Sequence, residues 1–252
     1  MPYFDSHDAI KLWYDTKGDG KPLICLAGGP GADVRDLGDL GGLATHRTLI
    51  LLDARAAGRS DVPDDRASCS YIEQARDVEQ LRRHLRLPRI DVLAHSAGTL
   101  TAQEYAARYG AVGRLVLVTP AGRVAREPDE AEVATIRNAG AKTIGPGDDG
   151  VIPPSWLREA FYAGGAVGSA APPRLARLAA VTVPVLALAG GSDSIAGTMP
   201  ARLIADCYPN AVAEVLPGCG HYPWLDDPER FRTRVIDFLD RQPDQPRSNT
   251  TP

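Results

Sequence analysis

Short apolar runs punctuate the chain at intervals, and amphipathic stretches separate them. The runs PLICLA (22–27), TLILL (48–52), RIDVLA (89–94), LVLV (115–118) and VPVLALA (183–189) have the length and continuity of buried strands. A further strand is expected over Ala213 to Leu216. Residues Ala9 to Tyr14 alternate crudely, with Ile10, Leu12 and Tyr14 on one side, and read as an edge strand closed by Lys17-Gly18-Asp19-Gly20. Between the runs, Ile72, Ala75, Val78, Leu81 and Leu85 recur at helical spacing and predict a helix over Tyr71 to Leu85. Gly98 to Tyr109 reads as a second helix, ended by Gly110. Pro200 to Tyr208 and Arg230 to Leu239 read as later ones. Strand and helix in alternation imply crossover connections and a mostly parallel central sheet flanked by helices, an α/β architecture.

The alternation fails from about Arg123 to Arg177. Helices are expected there over Glu127 to Asn138 and Ser155 to Tyr162, separated by GPGDDG, VIPP and AAPP. This stretch reads as a small helical cap at 123–177 inserted into a core formed by 1–122 and 178–241. The tail at 242–252, QPDQPRSNTTP from Gln242, has little to bury and is expected to be disordered.

Composition narrows the function classes. A chain of 252 residues with net charge −4 and scattered Lys and Arg gives no electrostatic case for nucleic acid or an anionic membrane. No apolar run approaches the roughly 20 residues of a membrane helix. The start, MPYFDSHDAIKLWYD, lacks a basic and apolar leader, so a cytoplasmic location is the default expectation. Four cysteines without a Cys-x-x-Cys pair suit reduced thiols, not a disulfide scaffold or a metal site. Cys219, two residues before His221, is placed as a thiol open to oxidation.

In parallel sheets, ligands bind beyond the carboxyl ends of the strands. The segment VLAHSAGTL places Ser96 there, where a buried strand turns sharply into a helix. Small residues are needed two before and two after such a serine, and Ala94 and Gly98 supply them. Taken alone, the pattern also suits an ordinary strand-to-helix loop. Serine needs a base. Of the five histidines, His7 and His46 have no strand end beside them, His84 falls on a helix surface, and His95 should point away from Ser96. His221 follows the last strand in LPGCGHYPWLDD and is the expected base. Asp193, at the end of VPVLALAGGSD, completes the order Ser, acid, His. The other strand end available for an acid reads Thr119-Pro120-Ala121-Gly122 and offers no carboxylate. Asp226 and Asp227 read as the start of the last helix. The amide of Ala97, at a helix N-terminus, and that of Gly29, in Ala27-Gly28-Gly29-Pro30-Gly31, are the expected oxyanion donors.

With these residues in view, the chain resembles the α/β-hydrolase superfamily and its proline iminopeptidase-like branch, with a shortened cap. AGGPG at 27–31 is similar to that branch's His-Gly-Gly-Pro-Gly, LLDARAAGRS at 51–60 to its Asp-Gln-Arg-Gly-x-Gly-x-Ser, and AHSAGT to its Gly-x-Ser-x-Gly-Gly elbow. GSD at 191–193 and GCGHYPWLDDPERF at 218–231 resemble its acid and histidine segments. Ala27, Ala54 and Ala56 depart from the pattern. The resemblance implies an α/β-hydrolase fold, a small-molecule substrate and a cofactor-free, metal-free acyl-enzyme route. The expected reaction is hydrolysis of a small ester, thioester, lactone or amide. An aminopeptidase would need cap carboxylates for the substrate amine, for which Glu127, Glu130, Glu132 and Glu159 are candidates. Acyl transfer and simple ligand binding are further alternatives. Gly28, Trp156, Phe161 and Tyr162 are candidate substrate contacts.

Overall fold

The computed structural model describes residues 2–120, 130–131, 133–134, 153–163 and 172–241. Eight strands form one sheet: β1 (Tyr3–Asp5), β2 (Lys11–Lys17), β3 (Lys21–Leu26), β4 (Arg47–Leu52), β5 (Ile90–His95), β6 (Val112–Val118), β7 (Val185–Gly190) and β8 (Ala211–Leu216). Their order is β1-β2-β4-β3-β5-β6-β7-β8. Only the β1/β2 and β2/β4 pairs are antiparallel. The remaining pairs, β4 through β8, are parallel. The helices are α1 (Tyr71–His84), α2 (Gly98–Tyr109), α3 (Ser155–Ala163), α4 (Pro172–Ala179), α5 (Met199–Ala205), α6 (Pro223–Asp226) and α7 (Pro228–Asp240).

The unbroken apolar runs are explained by two covered faces. Along β3 the side chains alternate: Ile24 and Leu26 join one apolar cluster, Leu23 and Cys25 the other. The first cluster holds Val78 and Leu81 of α1 with Ala102 and Tyr105 of α2. The second holds Trp224 of α6 with Phe231, Val235 and Phe238 of α7. A strand buried on both faces has no polar side to show, which is why periodicity alone cannot reveal its facing.

Two readings need correction. Ala9 to Tyr14 is not the sheet edge: β2 lies inside it, and the three residues of β1 form the edge. Ile10, Leu12 and Tyr14 do share one side, packed on the same apolar cluster, while Trp13 is buried in the other, so β2 has apolar cover on each face. Cys219 is also not open: it is 1% exposed, and burial pushes its thiol pKa up. All four cysteines are free.

The cap region lies largely outside the described residues, including Glu127, Glu132 and most of the helix expected over 127–138. So does the tail from 242 onward. Of the cap, α3 is described, and it packs against a single 3-10 turn at Arg66–Cys69. Helix α4, which the sequence reading did not anticipate, spans the expected boundary at 178. Among the described residues, no helix is long and apolar enough to cross a membrane.

Candidate active site

The sheet order itself creates a crevice. After β3 the chain leaves toward β4, while after β5 it proceeds toward β6 on the other side. Neighbouring strands whose connections part in this way leave an opening beyond their carboxyl ends. Ser96 stands at that opening. Its backbone has φ +49°, a left-handed conformation that is strained for a non-glycine residue. The turn is held by Ser96 N–H donating to Val118 O at 2.9 Å and by Thr99 N–H and Oγ1 donating to Ser96 O. Space explains the small flanking residues. A Cβ at Gly98 would lie 2.3 Å from the Ala27 carbonyl oxygen.

Three side chains from three separate segments are brought into line. The Ser96 hydroxyl lies 2.9 Å from His221 Nε2, and His221 Nδ1 lies 2.8 Å from Asp193 Oδ2. A carboxylate only accepts, so Nδ1 carries the hydrogen and donates to it. Nε2 of the neutral ring is then an acceptor for the serine hydroxyl. Asp193 is fixed in turn: its Oδ1 accepts from the amides of Ile195 (2.8 Å) and Ala196 (3.0 Å). Asp193, His221 and Ser96 are 1%, 3% and 7% exposed, so the array is shielded from bulk water. The loops cross-brace each other, with Ser192 N–H donating to Cys219 O and Gly220 N–H to Asp226 Oδ2. Asp227 caps α7 by accepting from Arg230 N–H.

The glycine loop closes over this array. A Cβ on Gly28 would sit 2.8 Å from Ser96 Cβ and 2.6 Å from His95 Nδ1, so Gly28 is the glycine pressed against the elbow. Gly29 follows it, more open, with φ +44°. Ala97 occupies the N-cap of α2, beside Ser96. A recess beside the elbow is lined by Ala27 to Ala32, Gln74, Asp77, Gly98, Thr101 and Phe161, among others. Phe161 is buried against Tyr71. Tyr162 packs on the same cluster, and Trp156 stacks under the Arg66 guanidinium at 4.5 Å; neither lines the recess. Glu130 and Glu159 are exposed.

The other histidines lie elsewhere. His7 pairs with Glu73 at 3.1 Å, His84 packs on Phe4 and Tyr14, and His46 is exposed. His95 is buried behind the array, its ring 4.8 Å from that of His221. One buried network escaped sequence reasoning. Arg55 is fully buried, bidentate to Asp77 through two 2.6 Å hydrogen bonds and paired with Asp8. Burial opposes its charge, but the hydrogen bonds to Asp77 and Asp8 outweigh that and raise its pKa.

Comparison with known proteins bears on the fold. The family model described as "alpha/beta hydrolase fold" matches residues 21–143. The chain belongs to the α/β-hydrolase superfamily. This α/β hydrolase is proline iminopeptidase-like in sequence. It is 25% identical to a proline iminopeptidase of Lactobacillus delbrueckii subsp. lactis, over 88% of this chain and 90% of that one. It is 37% identical to a proline iminopeptidase of Heyndrickxia coagulans, over 36% of this chain and only 32% of the relative. Among solved structures it is similar to the esterase RhEst1 from Rhodococcus sp. ECU1013, with TM-score 0.72 and 26% identity over 95% of this chain and 98% of that one. It shares its fold with Est816, described as an N-acyl homoserine lactone degrading enzyme, with TM-score 0.76 and 21% identity over 94% and 100% of the chains.

Proposed function

We propose that this α/β hydrolase is a serine hydrolase that works through an acyl-enzyme on a small ester, thioester, lactone or amide. The observation that carries the reading is the unbroken hydrogen-bonded line from Ser96 through His221 to Asp193, buried at the crevice of the sheet. In this scheme His221 Nε2 takes the hydroxyl proton as Ser96 Oγ attacks the substrate carbonyl carbon. Asp193 holds the resulting imidazolium through Nδ1–H. The tetrahedral oxyanion is received by the Ala97 amide at the start of α2 and by a loop amide of Gly28–Gly29. His221 returns its proton to the leaving group, whose bond to the carbonyl carbon breaks. A water then attacks the acyl-enzyme with the same imidazole as base, releasing the acid and restoring Ser96.

The relatives named as proline iminopeptidases favour a second reading, removal of an N-terminal residue from a peptide. It requires a carboxylate near the substrate amine. Of the four cap glutamates considered, Glu130 and Glu159 are solvent-exposed, and Glu127 and Glu132 lie outside the described residues.

Intact mass after exposure to a fluorophosphonate tests the first reading. One adduct on the wild type and none on Ser96→Ala is expected. A folded wild type that takes no label would refute it and leave ligand binding without turnover as the better account. Hydrolysis of p-nitrophenyl acetate against proline p-nitroanilide then separates esterase from aminopeptidase.

A further inference from the structure

Two side chains without a place in the acyl-enzyme scheme converge on one atom. The main-chain carbonyl oxygen of His221 accepts from His95 Nε2 at 3.0 Å and from Thr119 Oγ1 at 2.9 Å. His95 ends β5 and directly precedes Ser96; Thr119 directly follows β6. Both are buried, at 2% and 0% exposure. The loop that carries the base is thereby tied to the ends of two adjacent strands, one of which carries the nucleophile.

Each donor is held in a state it would not adopt unaided. Thr119 has φ +40°, a conformation that crowds a β-branched residue. Its amide donates to Leu188 O at 2.6 Å, which fixes the backbone between β6 and β7. His95 donates to a carbonyl, so Nε2 carries its hydrogen and Nδ1 carries none. Among the described residues Nδ1 has no hydrogen-bond partner, and it faces the Cα side of Gly28. The ring is packed among His221, Tyr222 and Trp224, with centroids 4.8, 4.9 and 4.8 Å away. One donor would satisfy a buried carbonyl; here there are two, one on a strained backbone and one on a desolvated histidine. Strain of this kind gathers at functional sites.

We propose that His95 and Thr119 are positioning residues for the base. Together they clamp the His221 carbonyl, so the imidazole keeps its reach to Ser96 and Asp193 while it gains and loses a proton. This rests on the serine-hydrolase reading above.

The test uses the full chain with p-nitrophenyl acetate and a fluorophosphonate, and thermal melts run in parallel. Thr119→Val removes one donor at nearly constant shape, and Thr119→Ser restores a hydroxyl. His95→Phe removes the other donor, and His95→Gln returns an N–H. Thr119→Val and His95→Phe are each expected to lower kcat and the labelling rate about 10- to 100-fold, with KM little changed. Thr119→Ser and His95→Gln should recover most of that loss. Folded Thr119→Val and His95→Phe proteins with wild-type kcat would overturn the proposal, as would Thr119→Ser being as slow as Thr119→Val. If Thr119→Val fails to fold, the His95 pair decides. Unfolding of both donor-less variants would assign the two groups to the fold instead. A wild type that neither turns over nor labels removes the hydrolase reading first, an outcome visible in the parent protein and distinct from any variant effect.

Discussion

Replacing Gly28 by alanine tests whether the glycine loop is fitted to Ser96, the proposed nucleophile. The added Cβ would meet Ser96 Cβ at 2.8 Å and His95 Nδ1 at 2.6 Å. Carbon atoms pack at about 3.5–4.0 Å, so the loop or the elbow must yield by about 0.7–1.2 Å. Neither neighbour is a flexible tip. One is the nucleophile's own Cβ, and the other belongs to the ring bonded to the His221 carbonyl. A misplacement of about 1 Å at a reacting group costs about 100-fold in rate, while overpacking of this size costs about 1–3 kcal/mol of stability. Gly28→Ala should therefore fold and yet label about 100-fold more slowly with a fluorophosphonate. Gly110→Ala, at the far end of α2, is the control. Its Cβ meets nothing within 4 Å. The left-handed φ of +62° makes it lose about 1–2 kcal/mol of stability, with labelling of the folded protein near that of the wild type. Wild-type labelling of Gly28→Ala, or equal slowing of both variants, would refute the argument from close approach.

Asp193→Asn should keep the fold, because asparagine Oδ1 still accepts the Ile195 and Ala196 amides, but should lower kcat by about 10⁴ through the wrong imidazole tautomer; steady-state esterase kinetics read it. Arg55→Leu leaves Asp77 buried without its bidentate partner and should cost about 3–5 kcal/mol in urea unfolding at pH 7; a loss below about 1 kcal/mol would contradict the burial of that pair. His95 gives a pH prediction. Burial, and then the His221 charge, hold its folded pKa well below 6.5, so the unfolded chain binds the extra proton first as pH falls. Stability supplied by neutral His95 is present above pH 6.5 and lost below it, at up to about 1.4 kcal/mol per pH unit. His95→Gln should flatten the urea midpoint between pH 7.5 and 5 relative to the wild type; parallel curves would count against a neutral buried His95.

What could be read from the chain depended on whether the signal was local. Helix α2 was expected over its observed span, Gly98–Tyr109, because a turn serine starts it and Gly110, at φ +62°, stops it. The buried strands carry their own run of apolar residues and were found to within a few positions. Strand β1 carries almost no signal, since only Phe4 of its three residues is buried. The order of Ser96, Asp193 and His221 at strand ends is legible in sequence, because each follows a recognisable strand or loop. The clamp on the His221 carbonyl was not. In the sequence Thr119 marks only a strand end without a carboxylate, and His95 only a neighbour expected to point away from Ser96. That both donate to one carbonyl more than 100 residues distant depends on how β5, β6 and the loop after β8 meet. Arg55 was hidden for the same reason, as its partners Asp8 and Asp77 lie 47 and 22 positions away.

On the proposed serine-hydrolase reading, the span between Ser96 and His221, 125 positions, also sets a timetable for reactivity. While the chain is being synthesised, the elbow emerges long before its base, and the base becomes usable only once β8 has joined β7 and the loop beyond it has docked. Until then Ser96 is an ordinary alcohol. The growing chain is thus spared from reacting with cellular acyl compounds while its crevice is still open to water. In a refolding experiment, capacity to take a fluorophosphonate should return after the helical circular dichroism, because long-range strand pairing comes late. A covalent probe of one hydroxyl then reports the completion of the whole sheet.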